Sequence, residues 1–198
     1  MGSEIDMIIE DALRQSLSLK ESFVRQNADT LIGLAERISN AFLDGGKLML
    51  CGNGGSAADA QHIAAEFVNR FQRQREPLPA LALTTDTSII TSIANDEGYA
   101  HVFSKQITAL GEKGDILIAI STSGTSANII SAIHAAREGG IYTVGLTGGG
   151  GGEMLGLVDL VLIVESASTP RIQELHIFAG HLVCELVEYI MIQGDRSP

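Results

Sequence analysis

His62 and Glu66 stand four residues apart in QHIAAEF, a spacing that places an imidazole and a carboxylate on one face of a helix. A positioned His or Glu acting as general acid or base is worth about 10² to 10⁴ in rate, so this pair can move protons on a bound substrate. Arg70 is expected one further turn along the same helix. A solvated helix face with an incidental histidine is the plainer reading of the same spacing. A second kind of chemistry is written in Ser121-Thr122-Ser123-Gly124-Thr125-Ser126, which runs straight into the helical pattern ANIISAIHAARE. A hydroxyl-rich turn at a helix N-terminus offers O–H and free N–H donors to one point, which holds a phosphate without many cations. A third loop, Cys51-Gly52-Asn53-Gly54-Gly55-Ser56, combines glycines that let a ligand approach the backbone with an amide that donates and accepts.

These loops must be held by regular elements, and the hydrophobic pattern supplies them. KLMLCG, ALALTT, DILIAIS, YTVGLTG and LVLIVES are short apolar runs that end in Gly, Ser, Thr or Asp, and most lead into a helical pattern. Runs of this kind are buried parallel strands, and their alternation with helices predicts an α/β fold: a five-stranded parallel sheet covered on both faces, a three-layer α-β-α sandwich. Ligands then bind beyond the carboxyl ends of the strands, where the three loops gather. Residues 1–45 form an N-terminal helical segment and 46–198 the α/β core of a single domain. The apolar spacing from Glu4 to Asp44 predicts two helices, broken near Asn27 and stopped at Gly45-Gly46. Thr169 is the expected N-cap of a last long helix, with Pro170 in its first turn. That helix carries Gln173, His176 and His181, and spacing alone does not choose between the two histidines. The glycine run from Gly148 to Gly152 reads as a flexible loop, because its spacing does not fit a dinucleotide fingerprint.

Composition narrows the function classes. The chain has 198 residues and a formal net charge of −11, which argues against nucleic acid because backbone affinity comes from clustered Lys and Arg. An anionic ligand must therefore be held by local donors. No run approaches the roughly 20 uninterrupted apolar residues of a membrane span. Cys51 and Cys184 lie in apolar runs without disulfide or metal spacing, and the first residues are acidic rather than signal-like, so a cytoplasmic protein is expected. Without a Walker A motif or a complete G-x-G-x-x-G, neither a nucleotide nor a redox cofactor is expected.

CGNGGSAADAQHIAAEF, ANDEGY, ISTSGTSANI and RIQELHIFAGHLVCELVE follow one another across nearly the whole chain. In these strings the chain resembles the sugar isomerase (SIS) family, and within it the bacterial phosphoheptose isomerases. The resemblance implies a flavodoxin-like SIS fold and aldose–ketose isomerisation of sedoheptulose 7-phosphate through an enediol, an early step of ADP-heptose supply for lipopolysaccharide. It implies Glu66 as catalytic base and His181 as catalytic acid. It further implies Asn53, Gly54, Gly55, Asn95, Asp96, Ser121, Thr122, Ser123, Ser126 and Gln173 as substrate contacts, to which the loop and helix readings add Ser56, Glu66 and Arg70. It also implies a zinc site at His62, Glu66, Gln173 and His181, and a homotetramer with active sites at subunit interfaces. Two physical points bear on the zinc: an amide is a poor ligand for it, and Gln173 and His181 are about 12 Å apart along an ideal helix. The alternative is a non-catalytic SIS-fold tetramer that binds the replication initiator, which SAADAQHIAA and PLPALALTTD also resemble. The acidic residue at Glu66 separates the two.

Overall fold

The computed structural model describes residues 2–194. Five strands, β1 (Leu48–Gly52), β2 (Ala80–Ala82), β3 (Ile116–Ser121), β4 (Tyr142–Gly148) and β5 (Leu160–Val164), make one sheet in the order β2-β1-β3-β4-β5. Every neighbouring pair is parallel, with Leu50 beside both Ala82 and Ile118 and Ile118 beside Val144. This is the flavodoxin-like order expected of the family resemblance.

Alternation along the strands divides the core in two. Leu48 and Leu50 face one side with Ile116, Ile118 and Ile120, beneath α1 (Gly2–Leu43), α2 (Gly55–Val68) and α6 (Thr169–Gly194). Met49 and Cys51 face the other with Leu117 and Ala119, beneath α3 (Thr87–Asp96), α4 (Ser104–Leu110) and α5 (Ala127–Glu138). Both faces are covered, so these strands are apolar throughout rather than alternating.

The N-terminal segment differs from expectation. It is one helix of 42 residues, not two. Asn27 does not break it, because its side-chain amide donates to the Phe23 carbonyl one turn back and leaves the ladder intact. The helix stops where predicted, with Gly45 at φ 85° and the amides of Gly45 and Gly46 bonded to the carbonyls of Phe42 and Ala41. At the start of α6, Thr169 is already helical, and the Ser168 carbonyl accepts the first intrahelical bond from Ile172, which moves the cap by one residue. By length and composition α6 could cross a membrane, but here its apolar surface packs against α1, α2, β4 and β5.

The glycine run is not an open loop. Its backbone presses on the Ser/Thr turn so closely that a Cβ at Gly124, where φ is 66°, would lie 2.0 Å from the Gly151 carbonyl oxygen. The Met154 amide then bonds back to the Gly124 carbonyl. Glycine on both sides is what lets the two turns touch.

Candidate active site

At the carboxyl edge of the sheet three loops converge. After β3, the Ser121 hydroxyl lies 3.1 Å from that of Ser126 and 3.5 Å from that of Ser123, and it accepts from the Gly124 amide. The Thr125 hydroxyl and amide both reach Ser123. Ser126 is the N-cap of α5 yet makes no side-chain cap bond, since its hydroxyl is turned to Ser121. The hydroxyl turn is thus assembled at a helix N-terminus whose dipole favours an anion. Thr122 is half-buried, and its carbonyl accepts from Gly148.

After β1, Asn53 exchanges hydrogen bonds with the amide of Asn128 at 2.8 and 2.9 Å and accepts one from the Tyr99 hydroxyl. Asn128, nearly fully buried, and Tyr99 were not singled out by sequence, although both lie inside recognisable strings. Gly54 is the N-cap of α2, and Gly55 has no room for a side chain: a Cβ there would meet the Gln173 amide nitrogen at 2.5 Å. Gln173 therefore belongs to this edge. Ser56 is 3% exposed and packs against Gly52. Asn95 and Asp96 close α3 on the surface and bond to each other.

The acid–base pair is elsewhere. His62, Glu66 and His181 offer ligand atoms that all lie within 4.8 Å of one another. His62 Nε2 is 3.1 Å from Glu66 Oε1 and 3.5 Å from His181 Nε2. They meet because α2 and α6 run side by side in the same direction. Gly55 touches Gln173, Ile63 touches Gly180 and Phe71 touches Glu188, all at nearly the same sequence offset. His62 and Glu66 lie well along α2 from the glycine loop. Glu66 is eleven residues beyond Gly55, about 16 Å along the helix. Arg70 is not on that helix, which ends at Val68; the chain turns at Asn69, and the Glu188 carboxylate captures the amides of Phe71, Gln72 and Arg73.

Burial and the neighbouring His62 hold the His181 imidazole below its ordinary value, against the pull of Glu66. It is therefore neutral at pH 7, able to donate from one ring nitrogen and accept at the other. The Phe71 ring stacks on it at 5.3 Å and 27°. Asp59, one turn before His62, has its carboxyl raised by burial, with His62 opposing, and its buried Oδ2 has no hydrogen-bond partner. His176 is 1% exposed, bonds the Thr147 carbonyl and is pushed down to about 4 by burial. It is a core histidine. Cys51 and Cys184 are buried thiols raised to about 12, so neither supplies a thiolate. A cleft of about 500 Å³ opens at the opposite edge of the sheet, between α1 and the starts of β3 and β4, and holds none of these residues.

The donor set suits a metal. Ligands on a tetrahedral zinc sit about 3.4 Å apart, close to the two separations measured between His62 and its neighbours. Gln173 lies against Gly55, at the start of the helix that carries His62 and Glu66.

A profile of the SIS domain matches residues 13–148. The chain is 55% identical to a phosphoheptose isomerase from Roseiflexus sp. (strain RS-1) over 92% of its own length and 93% of the relative's. It is 53% identical to one from Nitratidesulfovibrio vulgaris over 98% and 93%. The solved phosphoheptose isomerase of Neisseria gonorrhoeae superposes with a TM-score of 0.88 at 41% identity, covering 93% of this chain and 99% of that one. The chain belongs to the phosphoheptose isomerases of the SIS family.

Proposed function

We propose that the chain interconverts D-sedoheptulose 7-phosphate and D-glycero-D-manno-heptose 7-phosphate through an enediol. The observation that carries this reading is the meeting of Glu66 with two imidazoles, one of them neutral, in a chain whose turn between β3 and α5 forms an anion cradle. Glu66 takes the proton from C1 of the ketose while His181 N–H gives a proton to the C2 carbonyl oxygen, forming the enediol. His181 then accepts the proton from the C1 hydroxyl, Glu66 returns its proton to C2, and the C1 carbonyl forms. Atoms balance without a redox partner. The hydroxyl turn from Ser121 to Ser126 holds the phosphate, so binding energy far from C1 and C2 orients the reacting end. Asn53, Asn95, Asp96, Arg70 and Gln173 serve the sugar.

His62, Glu66 and His181 would hold zinc, with Gln173 joining from a neighbouring subunit. Zinc there supplies Lewis acidity that polarises the carbonyl.

We infer a homotetramer with active sites at its subunit interfaces, as the family resemblance implies. An extended seven-carbon chain with its phosphate spans roughly 10 Å at about 1.5 Å per bond, less than the axial separation between Gly55 and Glu66. In that assembly one chain's cradle would serve another chain's acid–base pair. We place the protein in the cytoplasm as a step of ADP-heptose supply for lipopolysaccharide. The initiator-binding alternative has no chemical need for Glu66 beside His62 and His181. Incubation of purified protein with sedoheptulose 7-phosphate decides between them: turnover is expected, and none with or without added zinc would overturn the isomerase.

A further inference from the structure

Beyond the reacting groups lies a buried ion pair. Glu188, on α6 two turns after His181, is 2% exposed, and Arg75, in the segment after α2, is nearly as enclosed. One carboxylate oxygen accepts from the Phe71 amide at 2.7 Å, and the other accepts from Gln72 at 2.9 Å and Arg73 at 3.0 Å. Three successive amides around one anion form a nest. Arg75 Nε lies 3.3 Å from the same carboxylate. Its two terminal nitrogens donate to the carbonyls of Glu66 and Phe67 at 2.8 Å each, and one of them also to Glu76. A buried pair of this kind is weak evidence of stability, because removing two charges from water offsets most of their attraction. Its position is more informative. The nest begins at Phe71, whose ring lies on His181, and the guanidinium holds the backbone of Glu66 itself.

We propose that Glu188 and Arg75 form a clamp that positions both reacting side chains, pressing Phe71 on the His181 ring and fixing the last turn of α2 that carries Glu66. The clamp rests on the reading of Glu66 and His181 as base and acid, and its residues are positioning residues. Misplacing a reacting group by about 1 Å costs up to about 100-fold in rate.

The test compares Glu188→Gln, Phe71→Leu and Phe71→Tyr with the unaltered protein. The measurements are kcat and KM for sedoheptulose 7-phosphate, melting temperature, and the proton NMR shifts of the His181 ring, which the Phe71 ring current displaces. Glu188→Gln and Phe71→Leu are expected to lower kcat about 10- to 100-fold with KM little changed, and to remove the ring-current shift in folded protein. Phe71→Tyr keeps the ring and is expected to keep both. If kcat and the His181 shifts are unchanged in folded Glu188→Gln, the clamp is overturned. If that variant does not fold, the Phe71 pair decides: equal kcat for Leu and Tyr overturns the proposal. Should Glu66→Gln remain active, the assignment of the base fails, and the ring shifts still judge the clamp separately.

Discussion

Glu66 carries the sharpest consequence at the scale of single residues. Its amide replacement keeps shape and the contact with His62 but cannot take a proton from carbon. Glu66→Gln should therefore cut kcat by about 10² to 10⁴ while sedoheptulose 7-phosphate still binds, as read by steady-state kinetics and calorimetry. Two buried groups set the acid limit of the fold. His176 has its pKa lowered to about 4 against an ordinary 6.5, so the unfolded chain binds its proton more readily. That stability is fully present above about pH 6.5 and falls as pH drops toward 4, by about 3 kcal/mol in all. Burial pushes the Glu188 carboxyl up, but the amides of Gln72, Phe71 and Arg73 together with Arg75 outweigh it and hold it below 4.5. Its share is present above 4.5 and is lost at still lower pH. Urea midpoints measured between pH 7 and 4 should fall, and His176→Gln, whose amide still donates to Thr147, should flatten the upper part of that slope. Much of the chemistry was legible in residue types: the hydroxyl turn is where Ser121 to Ser126 put it. The choice of His181 over His176 was not, because spacing on a helix does not report which side chain meets Thr147 and which meets His62.

Between elements, the site depends on how closely α2 and α6 approach. Gly180 makes that approach possible, since a Cβ there would lie 2.5 Å from Ile63 Cδ1 in a fully buried contact. Gly180→Ala should lower stability by about 1 to 3 kcal/mol through overpacking, less about 1 kcal/mol returned by helix propensity. It should lower kcat as well, because the spacing of His62 and His181 follows that of the helices. Thermal melts and kinetics on the same sample check both. Strand runs, helix ends and the α/β class were readable because each is a local pattern. The parallel alignment of α2 and α6 was not, since it joins residues 119 apart in sequence. Arg70 was misplaced because what ends α2 is Glu188, a residue more than a hundred positions away.

For the whole molecule, the informative surface is the first half of α1. Ile5, Ile9, Leu13 and Leu17 recur every four residues and are each more than half exposed, along one stripe of a helix that runs past the core. An apolar stripe of this kind is suited to a contact with another chain, as the proposed assembly requires. Replacing Leu13 and Leu17 together by Glu should shift the protein to smaller species in sedimentation. It should also abolish most turnover although every site residue is intact, if, as proposed, cradle and acid–base pair come from different chains.

The last consequence concerns time. α6 follows all five strands in the chain, yet it lies against α1 at the beginning and supplies His181. While the ribosome is still making α6, the emerging polypeptide can form its sheet but leaves the inner stripe of α1 and the flank of α2 uncovered, surfaces that invite chaperones or aggregation. On dilution from denaturant, turnover should return later than helical circular dichroism, since contacts so distant in sequence close slowly. The first helix waits for the last, and catalysis is the final property the chain acquires.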